Sequence, residues 1–306
     1  MKRTYAVPAF LVCLSLSAVV LPAQEVSPAD RQKIESAIPR KAAASAKKPR
    51  KLLVVTLNKR DGKVTRGHGA IAAGSLALEL MGKRTGAYEA IFNNDTAIFS
   101  PEKLKEFDAI CFNNTGGVLT DDPVERKSLL DFVRNGKGFV GIHGATATFC
   151  QYPKYDQFPE YGEMLGGYED GGHPWGPKDT ATVKVDDSRN PINAAFAGKG
   201  FAIQDEIYQF GHGYSREKLH ILLSIDMNKT ILDPKRNLLP DRAIDKDFGI
   251  SWARMYGTGR VFYCGLGHNL DIFWNPALLE HFLAGIQFAL GDLKADAQPS
   301  AKGKAR

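Results

Sequence analysis

The sequence predicts an α/β fold with a mainly parallel central sheet. Two observations lead there. Short apolar runs of strand length recur between residues 51 and 143, and stretches with the apolar spacing of an amphipathic helix separate them. Strands alternating with helices in this way make βαβ units and a parallel sheet. The span 51–293 is also an ordinary size for one α/β core.

The elements follow in order. Lys51-Leu52-Leu53-Val54-Val55-Thr56-Leu57 is too short for a helix and reads as a buried strand. His68 to Gly82 is Ala/Leu-rich with helical spacing, Tyr88–Phe92 is a second strand and Asp108–Phe112 a third. Asp121 to Asn135 places Leu129, Leu130 and Val133 on one helix face, opening on acids and closing at Gly136. Phe139–His143 is the next strand. The second half is less regular: Thr180–Val185, Ile221–Ile225, Gly249–Met255 and Arg260–Leu266 read as strands, and Pro276 to Leu290 as a closing helix.

Outside this span the composition changes. Met1-Lys2-Arg3 precedes an apolar run from Tyr5 to Ala23 that ends on small residues, the construction of a cleaved signal peptide, so the protein is expected to be exported to the periplasm or beyond. Pro8 and Pro22 leave too short a helix for a span of ~20 residues, so no stable membrane insertion is expected. Residues 24–50 and 294–306 are rich in Ala and Lys and read as disordered basic tails. The net charge is +6, but residues 1–23, 24–51 and 294–306 contribute +2, +5 and +3, leaving −4 on residues 52–293. A mildly acidic domain lacks the clustered cations of a phosphate-binding face, which excludes nucleic acid as a partner. Cys111 and Cys264 lie in strand-like runs and read as buried thiols; Cys150 is the one loop thiol.

In open parallel sheets, ligands bind beyond the carboxyl ends of the strands. There the sequence delivers His68 after the first strand, Asn113-Asn114-Thr115-Gly116-Gly117 after the third, His143 after the fourth and Gly267-His268-Asn269 after a late one. Gly141-Ile142-His143-Gly144-Ala145 has the small residues of a nucleophile elbow with His at its centre. Histidine suits general acid/base work and metal ligation better than acyl transfer. The long segment from Ala147 to Lys178 carries Tyr152, Tyr155, Phe158, Tyr161, Tyr168, Trp175 and the turn Gly171-Gly172-His173-Pro174. Aromatic faces beside carboxylates suit sugars, and a small local core is the other reading. In Gln204-Asp205-Glu206-Ile207-Tyr208, adjacent carboxylates on a strand face opposite ways, so one joins a given site.

Several of these segments together resemble the ThuA-like, or trehalose-utilisation, family. They are Asp108-Ala109-Ile110 with Asn114-Thr115 and Leu119-Thr120-Asp121, the run from Phe132 to His143, Gly172-His173-Pro174, Asp205-Glu206-Ile207-Tyr208, and Gly259-Arg260-Val261-Phe262-Tyr263 through Leu266-Gly267-His268. The resemblance spans roughly residues 51–291. It implies a flavodoxin-like three-layer sandwich related to class I glutamine amidotransferases, with His where those enzymes carry Cys. It also implies disaccharide utilisation through 3-keto-sugars, and carries over His143, His173, Glu206 and His268. Ile207 stands where the family often has Trp, and Gly67 precedes His68 where it usually has an aromatic residue or Arg.

The expected function is an enzyme acting on a glycoside or 3-keto-sugar, with His143 as acid or base and Glu206 as its partner. Substrate contacts are expected from His173, Trp175, Tyr208, His268 and Asn114, on one pocket at the carboxyl edge of the sheet. No cofactor is dictated by the sequence; a divalent metal such as zinc is the one considered, with His143, His173 and His268 as candidate ligands. The partner is a small-molecule carbohydrate, and homo-oligomerisation is left open. The alternatives are a non-catalytic carbohydrate-binding protein and a Cys-dependent hydrolase or amidotransferase-like enzyme.

Overall fold

The computed structural model of the protein describes residues 25–151 and 157–300. The expected signal peptide, Tyr152 and Tyr155 lie outside them. In chain order the elements are α1 (Pro28–Ala37), β1 (Lys51–Val55), β2 (Lys59–Arg60), β3 (Lys63–Val64), α2 (Ile71–Thr85), β4 (Glu89–Phe92), α3 (Pro101–Leu104), β5 (Ala109–Asn113), α4 (Pro123–Arg134), β6 (Gly138–Ile142), α5 (Pro159–Leu165), β7 (Thr180–Val185), β8 (Phe201–Gln204), β9 (His220–Ile225), α6 (Pro240–Asp245), β10 (Gly249–Tyr256), β11 (Gly259–Cys264) and α7 (Pro276–Ala289).

The main sheet has nine strands in the order β4-β1-β5-β6-β11-β10-β9-β7-β8. The first five run parallel, and antiparallel pairing extends the sheet from β11 through β10, β9, β7 and β8. Alternate residues of β1 feed opposite layers, as the pleat requires. Leu52 and Val54 pack with Ala77 of α2 and Leu279 and Phe282 of α7. Leu53 and Val55 pack with Phe99 and with Leu129 and Phe132 of α4. The result is a flavodoxin-like three-layer sandwich in which β1, β5, β6 and β11 release their following loops at one edge. α4 begins where the sequence signals it, with the Asp122 side chain accepting from the Val124 and Glu125 amides and Pro123 in the first turn.

The segments read as disordered basic tails are packed over much of their length, which corrects the expectation for 24–50 and for the start of 294–306. Ser27 caps α1, and Ile34 and Ile38 are buried in the layer containing α2. Arg84 donates to the carbonyls of Glu35 and Ile38. Beyond α1, the Ala44 and Lys47 amides donate to Gln287 and Asp292, and Arg50 donates to both Asp292 carboxylate oxygens. At the other end the Ser300 amide donates to Leu219 O and Asn190 to Asp296 O. Average composition pointed to solvated chain, but one buried isoleucine on α1 and a second at its C-cap dock the segment.

α7 buries a titratable group within the core. His281 is fully buried, with Nδ1 3.0 Å from Ile192 O and Nε2 2.9 Å from Ser251 Oγ. A carbonyl only accepts, so Nδ1 carries the hydrogen. Burial holds the ring's pKa at about 4 against an ordinary 6.5. The unfolded chain therefore takes up a proton first as pH falls. The contribution is fully present above pH 6.5 and is lost on the way down to about pH 4, on the order of 3 kcal/mol at 1.36 kcal/mol per pKa unit. Urea unfolding at stepped pH should show this loss, and His281→Gln should flatten the slope; an unchanged slope in that variant would assign the loss elsewhere.

Candidate functional site

Two sharp turns present the site. Asn114 follows β5 with φ 55° and His143 follows β6 with φ 44°, both left-handed for non-glycine residues. His143 therefore has the strained strand-to-helix geometry of a nucleophile elbow. Its neighbour must be small: a Cβ on Gly144 would lie 3.0 Å from Thr115 O and 3.1 Å from the His68 ring. The elbow is held from below, where Tyr263 donates to His143 O at 2.9 Å. Asn114 ties the neighbouring loops together, donating to Gly267 O and accepting from the Gly144 amide.

Glu206 is the centre of the cluster. Its Oε2 lies 3.0 Å from His268 Nδ1 and 3.5 Å from His143 Nε2, and its Oε1 lies 3.0 Å from His173 Nδ1. Burial raises the pKa of this carboxyl, but the three histidines outweigh burial and hold it far below the ordinary range. Asp205 faces the other way, as adjacent strand-like residues must. It accepts from the backbone amides of Gly267, His268 and Asn269 at 2.7, 3.3 and 2.8 Å. One carboxylate thus fixes the His268 loop while the next enters the site.

Tyr208 bridges the histidines. Its hydroxyl is 2.8 Å from His143 Nε2 and 3.3 Å from His68 Nε2, and its ring stacks on His143 and His173 at 4.4 and 4.8 Å between centroids. His143 Nδ1 lies 2.7 Å from Gly265 O, so in the neutral ring Nδ1 carries the hydrogen and Nε2 the lone pair. The Tyr208 hydroxyl then donates to His143, and its oxygen accepts from His68 Nε2–H. That assignment leaves the His68 lone pair on Nδ1.

Exposure sorts the cluster into floor and mouth. The His143 side chain is 0% exposed, whereas those of His268 and His173 are 29% and 37% exposed. Burial and the charges of His143 and His268 push the His68 pKa down to about 3. At His173, burial opposes the charged form, but Glu206 and Glu169 overcome it and raise the pKa; His268 is raised by the Glu206 carboxylate. His173 and His268 are thus the readily protonated imidazoles of the cluster, and His68 stays neutral.

Four of the seven residues picked from the sequence, His143, Glu206, His173 and His268, therefore converge with Tyr208, the fifth. The His143 and His268 rings are 5.4 Å apart. Asn114 reaches the site as scaffolding. Trp175 is in the core instead: it is 2% exposed, its Nε1 donates to Ile231 O and its ring meets Phe248 edge-on. Tyr168, also expected in a sugar-facing wall, packs with Phe158 and Tyr161 in the local core beneath the long loop. The residue that sequence reasoning left without a role is His68. His68, His143, Glu206 and His268 each offer one ligating atom, all within 4.8 Å of one another; His173 is outside that group.

The thiols stand apart. Cys111, Cys150 and Cys264 are buried, and none forms a disulfide. Burial raises the Cys111 thiol well above its ordinary range and pushes Cys264 up to about 12. Cys150 Sγ points at the Thr146 and Thr148 carbonyls, 3.6 and 3.7 Å away. Among the described residues no helix is long and apolar enough to cross a membrane.

Comparison with known proteins adds a family. The model of the ThuA family, described as trehalose utilisation, matches residues 53–289. A ThuA-like protein from Bacteroides uniformis ATCC 8492 superposes with a TM-score of 0.59 at 21% identity, covering 79% of this chain and 93% of that one. A ThuA-like protein from Parabacteroides merdae ATCC 43184 does so with a TM-score of 0.56 at 17% identity, covering 83% and 96%. At these identities the likeness is one of fold. No curated protein matches the chain.

Proposed function

Since the chain belongs to the ThuA family, that of trehalose utilisation, we propose that the Glu206 cluster is the active site of an enzyme acting on a carbohydrate derivative, a glycoside or 3-keto-sugar, by proton transfer. The observation that carries this reading is the coupling of Glu206 to His173. The carboxylate fixes Nδ1–H at 3.0 Å and leaves Nε2 of a part-exposed imidazole as the exchanging nitrogen. Base duty passes from His143 to His173 because His143 is sealed beneath Tyr208. In the neutral form, His173 Nε2 takes the proton from the carbon next to a sugar carbonyl. The electron pair moves onto the carbonyl oxygen as an enolate. In one course that oxygen takes the proton of the hydroxyl on the deprotonated carbon, which becomes the new carbonyl as the former carbonyl carbon receives the proton from His173. In the other the enolate re-forms its carbonyl and expels a β-alkoxide, which leaves with the proton held by His173. His268 is the donor placed to meet the enolate oxygen.

The test is incubation with a panel of 3-keto-glycosides and their parent glycosides, with products identified by NMR. Turnover is expected, falling by roughly 10²–10⁴-fold in His173→Ala, the usual worth of a general base. His212→Ala, an exposed histidine paired with Glu163, should be unaffected. Binding without turnover would identify a non-catalytic carbohydrate-binding protein, and full activity in His173→Ala would remove the assigned base.

A further inference from the structure

Two of the four buried side-chain polar atoms that lack a hydrogen-bond partner among the described residues, His68 Nδ1 and His268 Nδ1, belong to one cluster. His268 Nδ1 is 3.0 Å from Glu206 Oε2 without the alignment of a hydrogen bond. Leaving buried nitrogens unpaired costs about 1–3 kcal/mol each, so their concentration in one place asks for a common partner.

We propose that His68, His143, Glu206 and His268 form a binding site for one divalent first-row transition ion such as zinc. Three imidazoles and one carboxylate suit such an ion, and hard cations that demand an all-oxygen shell are poorly served by them. The ligating atoms lie within 4.8 Å of one another. Tetrahedral ligands at 2.0–2.1 Å from zinc stand roughly 3.4 Å apart, so small side-chain rotations close the site.

The outer contacts match what a metal site needs. His143 Nδ1 is held by Gly265 O at 2.7 Å, which aims Nε2 inward. Glu206 keeps Oε2 for the ion while Oε1 is held by His173 at 3.0 Å. The His268 loop is anchored by Asp205 through three backbone amides. Hydrogen bonding through Tyr208 places the His68 lone pair on the unpartnered Nδ1. Binding requires the Tyr208 hydroxyl to release His143 Nε2. His173 stays outside the ligand set, free to exchange protons, and the bound ion would supply the electrophile for a sugar carbonyl. For that chemical role the site rests on the keto-sugar reading, while cation binding is measured without any sugar.

The experiment is calorimetric titration of chelator-treated protein with zinc, manganese, cobalt and nickel chlorides, with cobalt absorption spectra reporting the ligand field. One ion per chain is expected. His68→Ala should weaken binding by at least ~100-fold, the upper end of what loss of an outer-shell partner costs. Absence of saturable binding, or unchanged affinity and spectrum in a folded His68→Ala, would overturn the site. Binding with no sugar turnover would keep the metal centre and discard the substrate reading. Full turnover by chelator-treated protein that binds no cation would do the reverse.

Discussion

Glu206→Gln is expected to lower turnover of a keto-sugar by roughly 10³-fold, with little change in the unfolding temperature. The substitution preserves shape, so packing around the side chain survives. What it removes is the charge that sits between three imidazoles at 3.0–3.5 Å. An amide cannot stabilise the imidazolium form of His173 as a carboxylate does. Loss of a carboxylate behind a general base belongs to the 10²–10⁴-fold class of effects. Glu206→Asp keeps the charge on a shorter arm and should recover part of the rate. Steady-state kinetics of both variants, alongside thermal unfolding, checks this; wild-type kcat in Glu206→Gln would remove Glu206 from the mechanism.

Asp205→Ala is expected to cost about 3–5 kcal/mol of stability. Asp205 is fully buried and is the acceptor for three consecutive amides of the turn after β11. Alanine would leave these donors without it in a closed site, at about 1–3 kcal/mol for each one that water does not reach. The neighbouring site would be damaged as well, because His268 rides on that turn. Asp205→Asn keeps one acceptor oxygen and should fall between. The measurement is the urea midpoint at constant m; a loss below about 0.5 kcal/mol would mean that the turn holds itself.

The parallel half of the fold was legible because β1, β5, β6 and β11 are buried over most of their length and read as largely apolar runs. β8 escaped notice because Phe201, Ala202, Ile203 and Gln204 alternate between partial burial and exposure at the sheet's outer edge, which in sequence looks like ordinary loop. The hairpin of β2 and β3 is only two residues per strand, too short for any period. In the site, His143 and His268 could be found because each follows a strand-like run and parallel strands share an exit edge. His68 could not be assigned, since it lies between β3 and α2 and its place beside His143 depends on how α2 docks; the only local sign was a histidine beside a glycine. Trp175 shows the opposite difficulty. An aromatic residue on a long loop reads the same whether it faces ligand or core, and its partner Phe248 is 73 residues away in sequence.

The strapping of residues 25–50 and 294–300 onto the sandwich means that the unit that folds is larger than the span 53–289 that the family model matches. A fragment trimmed to the family's limits at 53–289 would lose Ile34 from the surface of α2, the Ala44 and Arg50 contacts to Gln287 and Asp292, and the strand-edge contact of Ser300. It would expose a hydrophobic seam where the whole chain presents a finished one. The chain's cohesion therefore draws on its two ends, while the histidine cluster sits well inside them at the carboxyl edge of the sheet.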